Sequence, residues 1–187
     1  MCPVLLLTAL ALTRHDFRGK TFADSAIYAA TVMPEIVVGV SLLVFFVAAG
    51  LALGVTTIIL AHVAFTVSFV TIVVRARLSG MDRSVEEAAQ DLGANPAQTF
   101  LRVTLPLILP GVMAGALLAF TLSFDDFVIT FFVSGVGSST LPLKIYSMIR
   151  FGVSPAINAL STVVLVATMV LIFGGSRVFM RKENARG

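Results

Sequence analysis

Charge is scarce in this sequence: Asp, Glu, Lys and Arg make up 12% of 187 residues, about half the share found in soluble domains. With 58% apolar residues and a mean hydropathy of +1.01, the composition excludes an ordinary soluble globular domain and places the chain in a bilayer. Cysteine occurs once, at Cys2, which excludes an intrachain disulfide, and neither Cys nor clustered His stands near it to make a metal site. No Ser/His/Asp set suggests a hydrolase. Gly19-Lys20-Thr21 looks like the end of a phosphate-binding loop, but that motif needs glycine where Arg14 stands and a preceding strand, so ATP hydrolysis is not expected of this chain. The 13 Lys and Arg form no dense patch, so the net charge of +3 does not point to nucleic acid.

What the sequence does have is long apolar runs. Four stretches, at about 26–49, 55–74, 104–124 and 156–179, are long enough to cross ~30 Å of hydrocarbon as helices. Residues 1–12 are apolar but too short. Their positive charges follow the apolar core instead of preceding it, so a truncated span is expected there and not a secretory signal. The expected fold class is therefore all-α: a polytopic transmembrane helical bundle of about four full spans plus an N-terminal partial span. Eleven of the 13 Lys and Arg fall in segments 14–20 and 75–102 and in the C-terminal tail, which lie on one side if the spans alternate. The bias of Lys and Arg toward cytoplasmic loops then predicts a cytoplasmic 75–102 loop and C-terminus.

The most polar part of the chain is GMDRSVEEAAQDLGANPAQTFLRVTLP, residues 80–106. Ser84 and Glu87 have capping-box spacing, Val85, Ala88, Ala89 and Leu92 fall on one helical face, and Gly93 suits the left-handed residue that ends a helix. Asn95 as N-cap, Pro96 at the first helical position and Gln98 predict a second helix. Two short helices are thus expected at the membrane surface, with Leu105-Pro106 as the corner where they meet a span.

Glu87-Ala88-Ala89, then Gly93, then Leu105-Pro106, resembles the EAA motif of binding-protein-dependent ABC importer permeases. The resemblance implies a single transmembrane domain over 1–187, MetI-like, whose residues 82–102 form coupling helices seated in a groove of a cytoplasmic ATPase. Glu87, Ala88, Ala89, Gly93, Leu105 and Pro106 would carry that contact. Beyond the motif, Phe17-Arg18-Gly19-Lys20, Met33-Pro34-Glu35-Ile36-Val37, Ser123-Phe124-Asp125-Asp126, Leu141 to Ser147, Gly152 to Pro155 and Asn158-Ala159-Leu160 are similar to the spermidine/putrescine permeases of the PotC type. Such permeases usually have six spans, which implies that the first and most of the second are absent here. The resemblance further implies a second permease subunit, an ATPase dimer that uses ATP and Mg, and an external substrate-binding protein as partners in the bacterial inner membrane. No cofactor is expected on this chain itself. Relatives that handle iron, thiamine or phosphonates are alternatives for the substrate.

Ionisable groups within spans are costly and often mark pathways. Glu35 follows Pro34 about ten residues into the first full span, roughly 15 Å deep by helical rise, where a kink is expected. It either lines a pathway or pairs with a partner subunit. Asp125 and Asp126 end the span that begins near Thr104. They either attract a multiply charged amine or cap a helix at the membrane surface. His62 is alone in an apolar span and is expected to make an interhelical hydrogen bond; Gly111 and Gly115 have the spacing of close helix packing, and Phe131 and Phe132 read as packing groups. An ion-gradient-driven secondary transporter is the competing class, kept open by Glu35 beside Pro34 and opposed by the lack of an internal repeat.

Overall fold

The computed structural model describes Leu12 and residues 18–150 and 155–184. The expected N-terminal stub, apart from Leu12, and the Gly152-Val153-Ser154 segment lie outside the described residues. The described residues form helices and no strand: α1 (Lys20–Val32), α2 (Glu35–Ala48), α3 (Val55–Ser79), α4 (Ser84–Asp91), α5 (Pro96–Thr99), a π-helical turn (Phe100–Thr104), α6 (Leu105–Asp125), α7 (Val128–Val133), α8 (Leu141–Arg150) and α9 (Pro155–Asn184). They divide into two units, Met1–Ser138 and Ser139–Gly187. In the second unit α8 and α9 touch one another, and the Lys144 amide donates to the Thr140 carbonyl at the start of α8.

Two spans stand as expected, Val55–Ser79 and the unbroken helical run Pro96–Asp125. The 26–49 span does not. It is two helices meeting at 116°, because Pro34 has no N–H to donate and forces the residue before it out of the helical region: Met33 sits at φ −65°, ψ 135° and Pro34 at φ −58°, ψ 133°. Glu35 is therefore the first residue of α2, exposed and beside the break, and not a mid-helix residue at a depth counted along a straight axis. In the fourth expected span, α9 runs for 30 residues, with an apolar stretch at Ile157–Val170.

In the first unit α3 is the central and most enclosed helix. Its Arg75 end packs against α6 through Val70, Val74, Leu78 and Ile108; its other half packs against α2 and α7 through Phe46, Ile58, Ala61, Phe65, Ile129 and Val133. Small residues set the spacing. A Cβ on Gly111 would lie 2.7 Å from Arg77 Cβ, and one on Gly115 would lie 3.0 Å from Val70 Cγ1, so the expected packing role of this pair is what the fold uses. At the start of α3 the Thr57 hydroxyl accepts from the Gly54 amide (2.8 Å) and reaches the Val133 carbonyl (2.8 Å), tying that end to α7. At the other end Arg75 pairs with Asp24 of α1. The basic segment near residue 18 and the 75–102 loop thus lie at one end of α3, in keeping with the alternation of charge along the sequence.

Candidate functional site

The surface loop between α3 and α6 is built from local signals. Asp82 accepts from the Ser84 amide at 3.0 Å, and α4 starts with Arg83 in the N-cap position. The expected Ser84–Glu87 capping box is therefore displaced: Asp82 supplies the side-chain cap two residues back, and Ser84 is already helical. The Ser84 amide, then its hydroxyl, hold the Asp82 carboxyl below the usual carboxylate range. Helix α4 ends at a left-handed Gly93 (φ 88°), where the Gly93 amide donates to Gln90 O (2.8 Å) and the Ala94 amide to Ala89 O (3.1 Å), the two bonds of a Schellman end. The Asn95–Gln98 box forms as expected: Gln98 N donates to Asn95 Oδ1 (2.8 Å) and Asn95 N to Gln98 Oε1 (3.1 Å).

From Pro96 the helix continues through the membrane. The expected corner at Leu105-Pro106 does not exist. Pro106 would orphan a carbonyl one turn back, and the chain instead widens into the π-helical turn, in which the Leu105 amide reaches Phe100 O, so the run passes Pro106 and Pro110 unbroken. The direction of the chain changes at Leu92–Asn95 instead. Thr104, buried in the π turn, donates to Glu86 Oε1 at 2.7 Å and fixes α4 to the base of the span. Glu86 was not legible as a functional residue, since only the folded loop brings it to Thr104.

Among the described residues nothing covers the apolar face of α4. Leu92 is 89% exposed, and Val85 and Leu101 are exposed too; Glu87 and Ala88 are exposed and Ala89 half-buried. A cavity of 270 Å³ opens beside this face, lined by Arg77, Gly80, Met81, Asp82, Val85 and Leu107.

At the other end of α6 the two adjacent aspartates part company. Asp125 is exposed and, like Glu35, has no ion-pair or hydrogen-bond partner among the described residues. Asp126 is 8% exposed and caps α7, accepting from the Ile129 amide (3.2 Å), the Thr130 amide (2.8 Å) and the Thr130 hydroxyl (2.7 Å). His62 Nε2 lies 3.1 Å from its Oδ2. His62 also reaches Ser123 Oγ through Nδ1 (2.7 Å) and Thr130 Oγ1 through Nε2 (2.9 Å), so the expected interhelical bond is a network over α3, α6 and α7. An Asp four residues ahead of a Thr, at the start of a short apolar helix, is the signal in the sequence; its pairing with His62 is visible only in the fold. No group of His, Cys, Asp and Glu suited to a metal occurs among the described residues.

A profile of the family described as binding-protein-dependent transport system inner membrane component matches residues 5–180. The chain is 42% identical over 181 residues to the spermidine/putrescine transport system permease protein PotC of Shigella flexneri, covering 97% of this chain and 69% of that protein. It is 46% identical over 187 residues to the putrescine transport system permease protein PotI of Escherichia coli (strain K12), covering 96% and 66%. The chain thus spans about two-thirds of the length of these relatives. A chain of the MetNI methionine ABC transporter, solved in inward-facing conformations, superposes with a TM-score of 0.73 at 20% identity, covering 96% of this chain and 84% of that one. That likeness supports the all-α permease fold. The chain is a multi-pass membrane permease subunit and belongs to the binding-protein-dependent transport system inner membrane component family.

Proposed function

We propose that this chain is one of two permease subunits of an ATP-driven importer of spermidine and putrescine, and that residues 82–102 are its coupling helices. One observation carries the mechanical part: a single helical run begins in the surface loop at Pro96 and ends at Asp125, so whatever moves α4 and α5 also moves the far corner of the span. The uncovered Val85, Leu92 and Leu101 face, with Glu87 beside it, suits a cytoplasmic ATPase that supplies ATP and Mg chemistry; this chain hydrolyses nothing. Ala88 and Ala89 let that partner approach closely, Gly93 sets the turn, and Leu105 and Pro106 carry the movement into the span. Charge along the sequence puts this loop and the C-terminus in the cytoplasm. Residues 1–187 act as one transmembrane domain, with a second permease subunit against its exposed helices and an external binding protein delivering cargo.

The choice of polyamine as cargo is supported by the names of the relatives and by chemistry at the outer corner. Asp125 is an exposed carboxylate next to the exposed rings of Phe120 and Phe124, which stack at 5.5 Å. A carboxylate beside aromatic faces attracts alkylammonium groups. Glu35, at the break between α1 and α2, offers a second carboxylate at a point where a broken helix can rearrange.

The test is ATP-dependent uptake of radiolabelled spermidine and putrescine into membrane vesicles containing the assembled transporter. Glu87→Ala is expected to lose uptake and ATPase binding together, whereas Asp125→Asn loses uptake with the ATPase still bound. Uptake that persists without the ATPase would favour a gradient-driven carrier, and full assembly without polyamine uptake would remove the cargo assignment.

A further inference from the structure

The network around His62 fixes the hydrogen on Nε2. Thr130 has one hydroxyl hydrogen, and it is directed at Asp126 Oδ2 (2.7 Å). The Thr130 oxygen therefore accepts from His62 Nε2 (2.9 Å), and the Asp126 carboxylate at 3.1 Å from the same nitrogen is an acceptor as well. Nε2 thus carries a hydrogen. Nδ1 faces the hydroxyl of Ser123 at 2.7 Å, which donates or accepts by rotation. One imidazole on α3 consequently joins the last turn of α6, through Ser123, to the first turn of α7, through Asp126 and Thr130. Asp126 spends its remaining oxygen on the Ile129 amide, and both groups are buried.

We propose that His62 is a positioning residue that fixes the corner between α6 and α7, and that Asp126 acts through His62 and not on the cargo. Adjacent in sequence to the exposed Asp125, Asp126 reads as half of a paired-carboxylate site; the fold turns it inward and commits it. Its loss would let α7 shift away from α3, and Asp125 with it. The cargo enters this proposal only through the transport reading above, on which the activity readout rests.

The assembled transporter, in a Cys2→Ser background with Ser134→Cys at the end of α7, supplies two independent readouts: the rate of maleimide labelling at position 134, and uptake resolved into KM and maximal rate. His62→Asn and Asp126→Asn are expected to speed labelling and to lower the maximal rate by about tenfold, with KM changed by less than about twofold, because a buried charge-assisted bond is lost while the cargo contact remains. The double variant should be no worse than either single one. His62→Gln, whose amide nitrogen reaches the position of Nε2, should restore most of both readouts. If His62→Asn does not reach the membrane, Ser123→Ala removes one arm of the network and should speed labelling by itself. A raised KM in Asp126→Asn matching that of Asp125→Asn, with labelling unchanged, would overturn the proposal. If the unsubstituted transporter takes up neither amine, the transport reading fails and labelling still decides the positioning role.

Discussion

Gly93 shows how a single position constrains the loop. Its φ of 88° is a conformation that L side chains rarely adopt, yet a Cβ there would meet no atom within 4 Å. The demand is purely one of backbone conformation, and substitutions should rank by tolerance of the left-handed region and not by size. Gly93→Asn is expected to keep most of the uptake, while Gly93→Ala, about 1 kcal/mol strained at this turn, loses more, and Gly93→Val loses nearly all. Uptake and ATPase binding measured across the series check this; Asn and Val variants of equal activity would contradict it. The left-handed glycine and the Asn95–Gln98 box were legible in the sequence because both are local, decided within four or five residues. The role of Glu86 and the partners of His62 were not, since Thr104 stands 18 residues from Glu86, and Asp126 stands 64 from His62. Asp126 itself carried two readings, and its burial and its bonds to α7 and His62 separate it from Asp125.

Among the elements, α3 and α6 form the pair on which the first unit depends. Two glycines on α6 bring it against Val70 and Arg77 of α3. Gly115→Ala places a methyl group 3.0 Å from Val70 Cγ1, and removing that neighbour with Val70→Ala should recover much of the lost stability. Thermal unfolding of the detergent-solubilised transporter would read the recovery; a double variant less stable than Gly115→Ala alone would show that the contact is not what limits packing. Apolar length made α3 and α6 legible. The break before α2 was legible only as a kink, because Pro34 announces a disturbance and neighbouring packing decides its angle, here 116°. The π turn left no mark in the sequence apart from Pro106, which reads equally as a corner.

At the scale of the molecule, the Asp24–Arg75 pair joins α1 to the basic end of α3 within the first unit. On the proposed transport reading, ATP binding at the partner must be felt at the cargo corner, and the helical run Pro96–Asp125 is the element that would connect them. For it to work as a lever it must stay stiff across the π turn. The most direct measurement is a pulsed electron spin resonance distance between labels at Ala97 and Phe124 in the assembled transporter, in ATP-free and ATP-bound states, alongside the distance between Ala97 and the partner permease. A constant separation along the helix, ~40 Å by helical rise, with a changing distance to the partner is the expected result. A separation between Ala97 and Phe124 that changes by several ångströms between the two states would contradict a rigid lever and place the moving joint inside the span.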